Sequence, residues 1–226
     1  MRMKPRFVGR LGLADAVTVG NAALGFLAAV AATVDPALAA QVILLAGIAD
    51  ALDGVAARKV GSTPAGPYLD SLADVASFGV APALLVALVV RTSWTGVRAG
   101  VGVAVAAAFV AMAVVRLGLY TAYDTDADET QGVQTTLAAT VIAATVLAGF
   151  DTPLLLVVLT LVLAGLMVTT IVYPDLHAQD ALVMGAVQFA AIVAPGWYGT
   201  GFAYALLFLA LGYLVLGPMF YWRDGL

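Results

Sequence analysis

The chain has no cysteine, one histidine (His177), and only two lysines among its ten basic residues. Without cysteine there is no disulfide, no thiol nucleophile and no thiolate metal ligand. A single histidine cannot build a multi-histidine metal site within one chain. Any metal would be held mainly by carboxylates, which selects a hard cation such as Mg²⁺ or Mn²⁺. Charge is scarce as well, at 11% of 226 residues, where a soluble domain carries about 25%. The net charge of −4 offers no basic surface, so nucleic acid is excluded as a partner.

What fills the chain instead is apolar. It is 63% hydrophobic with a mean hydropathy of +1.03, the composition of a polytopic, integral cell-membrane protein. No extra-membrane block of any length interrupts it. The expectation is therefore all-α: a single membrane helix bundle, one domain over residues 1–226. A span needs about 20 mostly apolar residues. Eight segments approach that measure: 15–34, 37–59, 67–90, 97–121, 133–150, 153–172, 180–195 and 199–221. The fifth and seventh are short, which leaves six to eight spans, with eight preferred. Breaks fall at Asp35-Pro36, Gly61 to Pro67, Asp151-Thr-Pro153, Tyr173-Pro174 and Pro195-Gly196.

Orientation follows from lysine and arginine. With the N-terminus cytoplasmic, eight spans place Arg2, Lys4, Arg6, Arg10, Arg58, Lys59, Arg116 and Arg223 inside and only Arg91 and Arg98 outside. The basic N-terminus reads as a cytoplasmic anchor rather than a cleaved signal peptide.

Against this apolar background one stretch stands out: Asp50-Ala-Leu-Asp53-Gly54-Val-Ala-Ala57-Arg58, a short Gly/Pro-bearing link, and Gly66-Pro-Tyr-Leu-Asp70-Ser-Leu-Ala-Asp74. In hydrocarbon each such charge costs roughly 2.5–3.5 kcal/mol near the bilayer centre. Asp50 and Asp53 are three apart, Asp70 and Asp74 four apart, so each pair shares a helix face. The tight link predicts that the two helices are antiparallel neighbours, with all four carboxylates converging near the cytoplasmic surface. Converging anions call for one or two divalent cations, and a two-metal clamp suits in-line attack on phosphorus. Gly54 leaves backbone open to a phosphate, and Arg58 lies one turn on, where a guanidinium can hold one. The bland alternative is carboxylates that merely pair with arginines or sit in solvated helix ends.

The pattern D-x2-D-G-x2-A-R-x8-G-x3-D-x3-D is the signature of the CDP-alcohol phosphotransferases, and this chain resembles it at Asp50, Asp53, Gly54, Ala57, Arg58, Gly66, Asp70 and Asp74. It departs once, with seven residues rather than eight between Arg58 and Gly66, in the link where length changes most easily. The resemblance implies that Asp50, Asp53 and Asp70 are metal ligands and that Asp74 joins them and acts as general base. It implies that Gly54, Ala57, Arg58 and Gly66 hold the CDP moiety, and that an alcohol displaces CMP from a CDP-activated lipid. A homodimer is expected on the same ground.

Flanking residues resemble the phosphatidylserine synthase branch: Leu69 to Ala83, Thr18-Val-Gly-Asn21 followed by Gly25-Phe26, Arg116-Leu117, and Leu166 to Pro174. Departures are Ala14-Asp15 where Pro-Asn is common, Leu117-Gly-Leu-Tyr120 where a second arginine is usual, and Gly132-Val-Gln-Thr where a proline-containing segment is usual. The resemblance implies L-serine as acceptor and a diacylglycerol- or archaeol-based CDP-lipid as donor. Arg116 is then a candidate partner for the serine carboxylate, or a positive-inside anchor. Thr169, Thr170 and Tyr173 lie at the same depth and are candidates for the acceptor site, or capping and packing residues. Thr18 and Asn21 are candidates for nucleotide contact, or for interhelical hydrogen bonds. His177 and the acidic segment Asp124 to Glu129 read as solvated loop.

Two other readings stay open. The same chemistry serves glycerol phosphate or inositol phosphate acceptors, although basic residues near the site are few. A divalent-cation transporter also uses intramembrane carboxylates, but no acidic set continues through the other spans, and Gly54 and Arg58 would have no role.

Overall fold

The computed structural model describes residues 9–61, 63–124, 129–174 and 176–220. Helix α1 spans Leu13–Ala32 and α2 Pro36–Val60. Helix α3, Gly66–Asp74, runs through a π-helical turn, Val75–Val80, into α4, Ala81–Ser93. Helix α5, Gly96–Leu119, likewise ends in a π turn, Tyr120–Asp124. Then come β1 (Glu129–Gln131), α6 (Thr135–Leu147), α7 (Pro153–Met167), β2 (Val172–Pro174), α8 (Ala178–Val193) and α9 (Gly196–Phe220).

Counting α3–α4 as one rod, the described residues form eight helical rods, matching the eight apolar segments. Five of them are long and apolar enough to cross a membrane: Leu13–Ala32, Pro36–Val55, Gly66–Ser93, Gly96–Tyr123 and Gly196–Phe220. The protein is an all-α polytopic membrane bundle. The short sixth helix has a physical reason. At 1.5 Å per residue its 13 residues reach only about 20 Å, less than a bilayer core. But nearly every residue from Thr135 to Val146 is buried by protein, so α6 has little lipid to match. It packs against α2, α4, α5, α7 and α9.

Local chemistry sets the breaks. The Asp35 carboxylate accepts the Ala37 N–H across 2.9 Å, immediately beside Pro36 at the start of α2, the arrangement expected of an N-cap followed by proline. Asp15, in the first turn of α1, accepts the Gly12 N–H at 2.7 Å. Its same oxygen accepts the Thr63 hydroxyl at 2.9 Å, tying the head of α1 to the link between α2 and α3.

The motif helices meet differently from the sequence expectation. Among the described residues, α1 packs against both α2 and α3 more extensively than those two pack on each other. At the site, side chains of α2 and α3 come together although their backbones pack mainly on α1. Close approach of α1 to the π turn depends on Gly25. A Cβ there would lie 2.7 Å from the Ser77 N and Cα.

The loops after α5 and α7 are joined by the β1–β2 ladder, antiparallel, with Thr130 opposite Tyr173. Toward the other end of the bundle, Arg98 lies over the Trp94 ring at 4.1 Å and Trp197 stacks on Tyr198, as aromatic side chains do at a membrane interface.

Candidate active site

Asp50 and Asp53 lie in the second half of α2, Asp70 and Asp74 on α3. Oxygens of Asp50, Asp70 and Asp74 all lie within 4.8 Å of one another. At an effective dielectric constant of about 20, two unit charges at that separation repel by roughly 3 kcal/mol. A cation between three such groups would relieve that repulsion. Asp74 is buried, while Asp50 and Asp70 keep partial access to solvent. One buried oxygen of Asp74, Oδ1, and one of Asp53, Oδ2, have no hydrogen-bond partner among the described residues. An all-oxygen donor set with orphaned buried atoms fits a hard divalent ion.

The four-carboxylate convergence expected from spacing is thus three plus one. Asp53 stands apart from the tight group because, one turn further along α2, it faces α1, where the Thr18 hydroxyl approaches it. It remains close enough to Asp70 to act on it through charge.

Helix α1 turns a buried polar face inward: Asp15, Thr18 and Asn21. The Thr18 hydroxyl donates to the Ala14 carbonyl at 3.1 Å. Asn21 is fully buried, and neither end of its side-chain amide has a partner among the described residues. Gly54 and Gly66 are partly buried beside the carboxylates. The backbone of Ala57 and Arg58 continues α2, and their side chains lie outside the described residues.

Arg116 is buried in the last turn of α5, with its guanidinium 5.5 Å from the Tyr120 ring centroid, and it is close enough to Asp74 to attract its carboxylate. Thr169 donates to the Leu166 carbonyl at 2.8 Å and Thr170 is exposed. Tyr173 is buried, its hydroxyl donating to the Leu214 carbonyl on α9 at 3.1 Å. His177 is exposed immediately before α8.

Sequence reasoning missed Thr136. From the first turn of α6 its hydroxyl donates to Asp50 Oδ2 at 3.4 Å. The sole hint was the neighbouring Gly132-Val-Gln-Thr departure, which carries no indication of contact with α2. It also missed that Ser71 and Thr121 share a short hydrogen bond joining α3 to the end of the α5 rod.

Comparison with known proteins agrees with this geometry. The sequence model of the CDP-alcohol phosphatidyltransferase family matches residues 11–222. The archaetidylserine synthase of Methanothermobacter thermautotrophicus is 30% identical over 177 residues, 76% of this chain and 73% of that protein. The CDP-diacylglycerol–serine O-phosphatidyltransferase of Methanocaldococcus jannaschii is 43% identical over 74 residues, 32% of this chain and 34% of that protein. A match over nearly the whole length, on a helix bundle that gathers the motif carboxylates, leads to one conclusion: the chain belongs to the CDP-alcohol phosphatidyltransferase family, membrane enzymes that move a CDP-activated lipid phosphate onto an alcohol.

Proposed function

We propose that the protein transfers the phosphatidyl or archaetidyl group of a CDP-activated lipid to the hydroxyl of L-serine, releasing CMP. The observation that carries this reading is the gathering of Asp50, Asp70 and Asp74 within 4.8 Å, with the Arg116 charge near enough to act on Asp74. The serine-specific names of the two relatives and the chain's likeness to that branch favour serine over glycerol phosphate or inositol phosphate.

In this reading Asp50, Asp53, Asp70 and Asp74 hold divalent metal, Mg²⁺ or Mn²⁺, with two ions expected. When bound, the metal neutralises phosphate charge and makes a nearby hydroxyl more acidic. The protein's own groups do the rest. Asn21, whose buried amide has no partner among the described residues, and Thr18 offer polar contacts to the nucleotide, together with Gly54, Ala57, Arg58 and Gly66. An amide left unsatisfied costs about 1–3 kcal/mol, a cost that a bound nucleotide would relieve. Arg116 holds the serine carboxylate, a charge-assisted and geometrically selective contact. Tyr173 and Thr170 would then act at most on the shape of the acceptor entrance, since the Tyr173 hydroxyl is engaged by Leu214.

Asp74 accepts the serine hydroxyl proton as the serine oxygen forms its bond to the lipid phosphorus, and the bond from that phosphorus to the CMP oxygen breaks. Proton, lipid phosphate and CMP are then all accounted for. The lysine and arginine distribution favours a cytoplasmic site, where soluble serine meets the membrane-held donor. A homodimer is the assembly that the family resemblance implies.

The test is purified protein in detergent with Mn²⁺ or Mg²⁺, a CDP-lipid and a panel of alcohols, with lipid products weighed by mass spectrometry. Serine-dependent CMP release is expected. No release with any alcohol would sink the enzymatic reading and leave ion transport as the rival. Release with glycerol 3-phosphate alone would sink the serine assignment only.

A further inference from the structure

Helix α2 carries Asp50 and Asp53, and one turn before Asp50 it carries Gly47, where two other helices close in. A Cβ at position 47 would lie 2.9 Å from Gln188 Nε2 on α8 and 3.8 Å from Thr136 Cγ2 on α6. Gln188 is buried and donates from Nε2 to the Leu44 carbonyl at 2.6 Å. The same pair of helices is joined again by Gln41, whose Nε2 donates to the Ile192 carbonyl at 3.3 Å. From the other flank, Thr136 donates to Asp50 Oδ2. Helix α8 lies outside the motif, yet its contacts converge on the α2 turn that leads into the first motif carboxylate.

We propose that Gln188 and Thr136 are positioning residues for Asp50. Gln188 sets the rotation and axial position of α2. It reaches the Leu44 carbonyl across residue 47, where a Cβ would crowd its amide, and the oppositely directed Gln41 bond opposes sliding. Thr136 then sets the orientation of the Asp50 carboxylate itself. Groups one step removed from a metal ligand fix that ligand's direction, and a small displacement of a ligand is felt strongly at the metal. The inference rests on the metal-holding role proposed above for Asp50, and it extends that site onto α6 and α8.

The test measures Mn²⁺ binding directly, by loss of the free-ion electron paramagnetic resonance signal, on full-length protein in detergent without substrate. Melting temperature is recorded alongside. T136V and Q188L are each expected to weaken Mn²⁺ binding about tenfold, and T136S, which keeps the hydroxyl, to bind as the unaltered protein does. If Q188L does not purify as a monodisperse species, G47A displaces the same amide and carries the same expectation. T136V or the α8-directed variant binding Mn²⁺ as tightly as the unaltered protein overturns the role of that residue. T136S as weak as T136V overturns the role of the hydroxyl. An unaltered protein that binds no Mn²⁺ removes the metal reading, and this inference with it. Melting temperatures that fall while Mn²⁺ affinity holds assign both residues to packing alone, which also overturns it.

Discussion

The Ser77 hydroxyl donates to the Asn21 carbonyl across 2.8 Å, locking α1 against the π turn that begins immediately after Asp74. A π turn closes each hydrogen bond over one more residue than an α-helix does and is common at functional sites. Here it lets the backbone of Ser77 come up against Gly25, and the contact places the polar face of α1 beside the carboxylates.

Gly25→Ala is therefore expected to destabilise the protein by about 1–3 kcal/mol, the usual cost of overpacking. The obstructing atoms are backbone and cannot rotate away. Thermal unfolding in detergent reads this directly. A G25A protein as stable as the parent would mean that the α1 contact is looser than described.

Asp74→Asn keeps the size of the side chain and removes its capacity to accept a proton. CMP release is expected to fall by about 10²–10⁴-fold, the range of general-base loss, while the protein still elutes as the parent does. Retention of more than a tenth of the parent rate would take the base role away from Asp74.

For Arg116→Lys the expectation is a split. Lysine keeps the charge and loses the planar fork. Loss of a charge-assisted pair is worth about 1.5–3 kcal/mol, so the serine KM should rise roughly tenfold or more, with the CDP-lipid KM changed much less. Equal rises in both constants would point to Arg116 acting through Asp74 rather than on the acceptor.

Metal removal and carboxylate neutralisation should act with opposite signs. In excess EDTA, Asp70→Asn is expected to melt higher than the parent, because one member of the repelling group is gone. With Mn²⁺ the order reverses. An ion at a hundredfold its Kd stabilises the parent by about 2.7 kcal/mol, and the variant gains less. A parent melting temperature indifferent to both EDTA and Mn²⁺ would contradict a metal at this cluster.

Tyr173→Phe separates two roles that the sequence left together. Its hydroxyl is held by the Leu214 carbonyl, and its ring lies 6.0 Å from that of Tyr213. Removing one hydrogen bond should cost about 1 kcal/mol of stability, with the serine KM unchanged. A raised serine KM at unchanged stability would return Tyr173 to the acceptor site.

The sequence by itself determined the membrane bundle, its eight helical segments and the family. Composition, span length and a long motif are local properties, readable without knowing which helix touches which. The same locality explains why Asp50, Asp70 and Asp74 were identifiable as partners: a short link leaves two helices few ways to meet. Only the tertiary structure decided which partners the motif takes from elsewhere. Spacing on α2 puts Asp53 on the same face as Asp50, yet α1 lies against α2 and Asp53 stays outside the group that Asp50 forms with Asp70 and Asp74. Thr136 and Gln188 sit in unremarkable apolar helices, 86 and 144 residues from Asp50 and Leu44, the groups they bond. Nothing in their local sequence encodes that distance closing. Tyr173 illustrates the converse, since depth in the membrane is legible from the chain but the direction in which a side chain points is not. That direction is set by packing of α9 against the β2 segment, a contact between residues that only the folded bundle brings together.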